Sequence, residues 1–283
     1  MRVSAHCSLR MTPRYAHSIL VLVFTTLLLA GCDKFEASPY ATHTPNAPVH
    51  SNLTNIERLA AREPFDDDTV TIVFTGDPQR FYEEQELIVA KANTIPNVDL
   101  FILAGDIADF GLMQEFLWVH ERMERLNMPW FAVIGNHDMQ ANGRLIFQQL
   151  FGPLDFSFTY KGYKFLFHDT NGREYGHNGT APRIGWLADQ MADTVPDHFI
   201  AVSHVPPFNG DFDPSLVQPY TQQLGSDERT ILSLHGHTGS HVDEYLYGDH
   251  VRYMVCNAMY WPVFHVLRIH GGQVEVEAMN YRE

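Results

Sequence analysis

The sequence predicts an α/β fold built on a parallel sheet. Two observations carry that prediction. β-Branched, apolar runs at residues 70–75, 99–104 and 129–134 alternate with segments of helical periodicity at 82–94 and 114–126. Strand, helix, strand, helix, strand implies parallel strands with helices on the sheet faces. Each of the three runs also ends in a Gly-Asp or Gly-Asn pair: Gly76-Asp77, Gly105-Asp106 and Gly135-Asn136. One such pair after a strand reads as a turn, since turns favour both residue types. Three at successive strand ends point to a shared crevice, because ligands collect at the carboxyl ends of parallel strands.

Two later runs repeat the theme. Residues 199–203 form an apolar strand ending in His204, with Pro206 and Pro207 stiffening its exit, and residues 230–234 end in His235-Gly236-His237. Five strand ends therefore deliver Asp, Gln, Asp, Asn, His and His. Oxygen and imidazole donors without thiolate suit Mn, Fe or Zn, and mixed carboxylate and histidine sets are typical of two-metal hydrolases.

Composition sets the outer limits. Hydrophobic residues make up 45% of the 283 residues and aromatics 12%, ample for a packed core. There are 34 acidic against 19 basic residues, a net charge of −15. Residues 1–31 hold Arg2, Arg10 and Arg14 and no acid, so the remaining 252 residues carry −18. That balance argues against a nucleic-acid backbone binder, which needs a basic face. A small anionic substrate remains open if metal ions supply local positive charge. Of the three cysteines, Cys7 and Cys32 belong to the N-terminal region. Cys256 sits alone in an apolar run as a small buried hydrophobe, so no disulfide framework is expected.

The N-terminus reads as an address. Three arginines precede an uncharged run over residues 18–30, too short for a membrane span but suited to a secretory signal. The run closes with Leu29-Ala30-Gly31-Cys32, which resembles the lipobox of bacterial lipoproteins. The expectation is a signal peptide at 1–31, a lipidated Cys32 opening a tether over 32–68, and a catalytic domain from 69 to 283. The chain would then be anchored to a membrane of the bacterial cell envelope and face the periplasm or the exterior. Met11 is an alternative start, and Asp33 resembles an inner-membrane retention signal. Within the tether, residues 53–62 read as a short helix capped by Asn52 or Ser51, and Asp66, Asp67 and Asp68 as a solvated turn.

The ordered motifs Asp77-Pro78-Gln79, Gly105-Asp106-Ile107-Ala108-Asp109, Gly135-Asn136-His137-Asp138, His204 and Gly236-His237-Thr238-Gly239 resemble the signature of the calcineurin-like metallophosphoesterases. The match spans residues 76–239 in the family's order and spacing. The resemblance implies a four-layer α/β/β/α sandwich with two metal ions at the strand ends. It implies that Asp106 bridges both ions, that Asn136, His204 and His237 complete the second site, and that Asp77 binds the first with Gln79 beside it. It further implies that His137 faces the substrate, that Asp109 orients it, and that a metal-bridging hydroxide attacks phosphorus.

Two positions depart from the family pattern. Gln79 stands where the first motif ends in His, and Gly239 stands where the last motif has its second His. The first metal position is thus short of donors. His241 completes it if the loop bulges, His235 pairs with His237 in another register, or water fills the gap. Phe110 follows Asp109 where protein phosphatases of the superfamily carry Arg, which disfavours a phosphoprotein. The expected function is hydrolysis of a small phosphate mono- or diester by a monomeric enzyme. The alternative is a degenerate metal- or phosphate-binding lipoprotein.

The remaining candidates receive plainer readings. His168 is packed or half-exposed on a strand, and His120, His198, His250, His265 and His270 are surface or strand-edge residues. Arg173 and His177 lie on a polar loop able to touch phosphate. Tyr260 and Trp261 either stack against a base or sugar or pack at a rim.

Overall fold

The computed structural model describes residues 38–65 and 67–283. Among them, Pro39–Glu283 form one compact unit. Three strands, β1 (Val70–Thr75), β2 (Leu100–Leu103) and β3 (Trp130–Ala132), run parallel as the periodicity requires. The helices between and after them are α2 (Tyr82–Ala92), α3 (Met113–Met123) and α4 (Gly143–Leu150). A C-terminal hairpin, β10 (Val263–His270) and β11 (Gln273–Asn280), adds to β1 in antiparallel fashion. The sheet order is β11-β10-β1-β2-β3.

A second sheet has the order β4-β5-β6-β7-β9-β8. Its strands are β4 (Phe156–Tyr160), β5 (Tyr163–Phe167), β6 (His198–Val202), β7 (Thr230–His235), β8 (Val242–Glu244) and β9 (Arg252–Val255). Strands β5, β6, β7 and β9 are parallel, with β4 and β8 antiparallel at the two edges. Helices α5 (Ile184–Met191) and α6 (Val217–Gly225) belong to this half.

Side-chain alternation along the strands sorts the core into three layers of contact. Ile72, Phe74, Ile102 and Phe131 of the first sheet pack against Phe158, Phe167, Val202 and Leu234 of the second. Val73, Phe101 and Leu103 face the other way, onto Ile88, Phe116, Val119 and Phe147 of α2, α3 and α4. Leu166, Phe199 and Ala201 meet Leu187, Met191, Tyr220 and Leu224 of α5 and α6. Both faces of the central strands of each sheet are therefore buried, giving the expected α/β/β/α sandwich. It also explains why β1 is buried at all six positions and reads as a continuous apolar run rather than a polar–apolar alternation.

The expected tether is revised. The compact unit begins at Pro39, not at residue 69, and helix α1 (Ser51–Ala61) lies on the edge of β3. Neither Ser51 nor Asn52 caps it: the residue preceding the helix is His50, in a left-handed conformation with no side-chain cap. Asn52 is instead 1% exposed. Its amide donates to the Ala132 carbonyl and accepts from the Ala132 amide, both at 3.0 Å. The side chain thus pairs with β3 as a neighbouring strand would and closes an edge that would otherwise be open. Of the triple acid, Asp66 lies outside the described residues, while Asp67 holds Lys161 at 2.9 Å. The signal segment and Cys32 also lie outside them. Among the described residues, no helix is long and apolar enough to cross a membrane.

Candidate metal and active site

The ends of β1, β2, β3, β6 and β7 open on one cleft of about 510 Å³. The backbone reaches it through an unusual conformation. Asp77, Asp106 and His237 all have left-handed φ values, 51°, 56° and 73°. For residues with a Cβ this is strained, and strain held by its surroundings clusters at functional sites. Gly135 allows the closest approach: a Cβ there would stand 2.2 Å from both the Asp106 amide nitrogen and its Oδ1. The loops are tied by Asp138, which is fully buried and accepts from the amides of Ala108 at 2.7 Å and Gly135 at 2.8 Å. Burial and the neighbouring Asp106 push its carboxyl up to about 8. The sequence reading placed Asp138 in a motif but missed this role, for which a buried acid bonded to two loop amides is the structural signal.

Six of the expected residues converge. Ligand atoms of Asp77, Asp106 and His204 lie within 4.8 Å of one another. His204 Nδ1 donates to the Ala104 carbonyl at 2.6 Å, which turns Nε2 toward Asn136 Oδ1 at 3.2 Å and Asp106 Oδ1 at 3.3 Å. His237 Nε2 lies 3.2 Å from Asn209 Oδ1 and 3.2 Å from Asp211 Oδ2. The Asp211 carboxylate is a stronger acceptor than the amide oxygen of Asn136, so Nε2 takes the proton and Nδ1 turns its lone pair toward Asn136 Oδ1 at 2.9 Å. Four potential ligand atoms, Asp106 Oδ1, Asn136 Oδ1, His204 Nε2 and His237 Nδ1, thus aim at common space. A divalent cation that displaces the proton on His204 Nε2 would satisfy all four. Gln79 adds a buried Oε1 with no hydrogen-bond partner.

The charges agree with this fit. Burial pushes Asp77 up to about 7, with Asp106 adding to the rise and His204 opposing it. Burial also opposes charge on Asp106, but the imidazole of His204 keeps its carboxyl below the usual range. His204 itself is pushed up to about 10: burial works against its charge, and the carboxylates of Asp106 and Asp77 overcome it. Burial and His204 hold His237 down to about 4, so its imidazole is neutral near pH 7. Two buried carboxylates and the neutral His237 suit a divalent ion, which would take the place of the His204 proton.

The expected substrate-facing pair differs in detail. His137 is in the cleft wall, but its Nδ1 donates to the backbone carbonyl of Asp109 at 2.9 Å. The Asp109 carboxylate stands farther off, at 3.5 Å, and its Oδ1 lies 2.7 Å from Arg80 Nη2. Orientation of the imidazole by the carboxylate is corrected to orientation by the carbonyl, with the acid as a nearby counter-charge shared with Arg80. Arg80, Phe81 and Asp211 line the cleft and were not singled out from sequence.

Both candidates for completing the first metal position lie elsewhere. His235 is fully buried behind the cleft, where Ser203 Oγ lies 3.0 Å from Nδ1 and Ser233 Oγ 2.8 Å from Nε2. His241 Nδ1 donates to the Val255 carbonyl at 2.9 Å, and its ring stacks on His265 at 4.3 Å. At Gly239 (φ 72°), a Cβ would stand 2.9 Å from the hydroxyl of Tyr260, so that phenol fills the room an imidazole would need.

Of the other candidates, Arg173 lines the cleft beside Asp211, whereas His177 is exposed and outside it. Tyr260 forms the cleft rim and packs against Phe81 and Trp261 at 5.9 and 5.5 Å. His168 is 1% exposed, as a packed strand residue. His265 is 1% exposed too, which corrects its assignment to the surface. His120 packs edge-on to Trp130 at 5.4 Å and is half-buried. Cys256 is fully buried, and burial pushes its thiol up, which suits an inert core residue.

The sequence profile described as calcineurin-like phosphoesterase matches residues 70–252. The chain belongs to this family. Phosphoesterases of this family are hydrolases, generally with a dinuclear metal centre. A cAMP/cGMP dual specificity phosphodiesterase of Mycobacterium tuberculosis is 28% identical over 154 residues, covering 49% of this chain and 48% of that protein. The chain thus spans about half the length of this curated relative. The fold resembles a dimetal phosphatase from Danio rerio (TM-score 0.59, 12% identity, 75% of this chain and 99% of that one). It also resembles a purple acid phosphatase from yellow lupin (TM-score 0.58, 11% identity, 79% and 53%).

Proposed function

We propose that the chain is a metal-dependent phosphodiesterase that hydrolyses a small phosphodiester. The convergence of four ligand atoms on one point, Asp106 Oδ1, Asn136 Oδ1, His204 Nε2 and His237 Nδ1, carries the metal dependence. Asp77, Asp106 and Gln79 would hold a second ion, more loosely, since Gly239 contributes no side chain. Divalent ions at these positions supply Lewis acidity toward phosphoryl oxygens and lower the pKa of water.

The protein's own groups do the rest. The Asp109 carbonyl fixes the His137 ring and leaves Nε2 free toward the cleft. In that position His137 donates a proton to the leaving oxygen or a hydrogen bond to the developing charge. Phe81 and Tyr260 give the cleft an aromatic wall for the organic part of the substrate.

Charge favours a diester over a monoester. The two arginines of the cleft are already paired, Arg80 with Asp109 at 2.7 Å and Arg173 with Asp211 at 2.6 Å. A site with its cations so neutralised suits a monoanionic diester better than a monoester dianion. The similarity to a cyclic-nucleotide phosphodiesterase points the same way. With Mn or Zn supplied, kcat/KM on bis(4-nitrophenyl) phosphate is expected to exceed that on 4-nitrophenyl phosphate. A preference for the monoester would refute the substrate class.

The proposal extends to location. Leu29-Ala30-Gly31-Cys32 after a basic and then apolar leader supports a lipid-anchored envelope enzyme, with its catalytic residues in the compact unit 39–283. Cys32→Ser is expected to abolish incorporation of a labelled fatty acid and to release the protein from membranes. Equal labelling of variant and wild type would count against the anchor.

A further inference from the structure

Asp211 and Asn209 lie on the loop after β6, outside every motif that carried the sequence reading. The loop is built to present both side chains to one atom. Asn209 Oδ1 accepts from the Asp211 amide at 2.9 Å, and it and Asp211 Oδ2 each stand 3.2 Å from His237 Nε2. A second loop locks this arrangement from the side. The Arg173 amide donates to the Asp211 carbonyl at 2.8 Å, while Arg173 Nη1 reaches the Asp211 carboxylate at 2.6 Å. The two loops pack backbone to backbone, since a Cβ on Gly172 would stand 2.3 Å from the Asp213 amide nitrogen.

We propose that Asp211 is a positioning residue that makes His237 a metal donor and holds Arg173 at the mouth of the cleft with the same carboxylate. This rests on the reading of His237 as a ligand through Nδ1. An imidazole has two tautomers and can turn about its bond to Cβ; only the form protonated on Nε2, with the ring held still, offers Nδ1 to a cation. A carboxylate bonded to the distal nitrogen selects that form and raises the basicity of the other nitrogen. Asn209 supports the same proton but carries no charge. Without Asp211, the ring keeps one neutral acceptor and Arg173 keeps only Glu174, at 2.9 Å, so the metal position and the cleft wall loosen together.

The test is Zn2+ affinity of the purified protein, measured by competition with a chromophoric chelator. Wild type is compared with Asp211→Ala, Asp211→Asn, Asp211→Glu and His237→Ala, and thermal melts of the metal-free proteins report folding. Asp211→Ala is expected to weaken binding by about 10–100-fold, as loss of such a partner does. Asp211→Asn should weaken it less, since its amide oxygen still accepts, and Asp211→Glu should recover most of the loss. If His237→Ala loses the ion while Asp211→Ala and Asp211→Asn bind it as tightly as wild type, the positioning role is wrong. If His237→Ala also binds as wild type, the assignment of His237 as a donor falls, and this proposal with it.

Discussion

His137→Ala should lower kcat on a phosphodiester by roughly 10²–10⁴-fold, the range for loss of a positioned acid or base, while metal content stays at the wild-type level. The two halves of that expectation come from different atoms of one residue. The backbone amide of His137 donates to Asp106 Oδ1 at 2.9 Å, and alanine keeps it, so the carboxylate at the heart of the cleft stays in place. Only the imidazole goes, and with it the cleft-facing proton donor. Steady-state kinetics with elemental analysis on the same preparation checks both halves. Loss of metal in the variant would move His137 among the ligands.

Asp106→Asn should remove the metal from both positions and lower turnover by about 10³-fold or more, the equivalent of losing about 4 kcal/mol of Lewis-acid stabilisation. The amide keeps the shape of the carboxylate and removes its charge. The carboxylate faces the His204 imidazole at 3.3 Å and is held below its usual range by it, so its loss costs the metal-free fold some stability, offset in part by relief of its repulsion of the buried Asp77. A cooperative melt in chelator is therefore expected to persist at a lowered melting temperature, with metal content near zero. A variant that keeps its metal, or that unfolds in chelator, would mean that Asp106 is a structural acid.

Much of the fold was legible because it is local. Strand periodicity, the helices between strands and the Gly-Asp and Gly-Asn exits are properties of a few consecutive residues, and β1 falls at the bounds expected from its sequence. The left-handed turns at Asp77 and Asp106 follow directly on strands that the pattern announces. What was missed depends on residues far apart in the chain. Asn52 completes the edge of β3 from 80 residues away, which no window around a polar, Pro-containing segment reveals. Arg173 and Asp211 meet across 38 positions, and Asn209 and His237 across 28.

The histidines show the limit of pattern most clearly. His235 and His237 are two apart, and on a continuous strand they would share a face. Strand β7 ends at His235, and the chain turns left-handed at His237, so one ring packs among serines behind the sheet while the other enters the cleft. Asp109 teaches a related point. Its position beside His137 was foreseeable, but the choice of carbonyl over carboxylate depends on Arg80, whose own left-handed backbone (φ 67°) accompanies its contact with the acid.

The proposed activity depends on ligand atoms that follow β2, β3, β6 and β7 and meet as a metal position at the floor of the cleft. Anomalous diffraction at the zinc edge, from crystals grown with Zn2+, tests it directly. A peak is expected about 2.0–2.2 Å from Asp106 Oδ1, Asn136 Oδ1, His204 Nε2 and His237 Nδ1. No peak at that point, with zinc found only on surface acids or histidines, would contradict it.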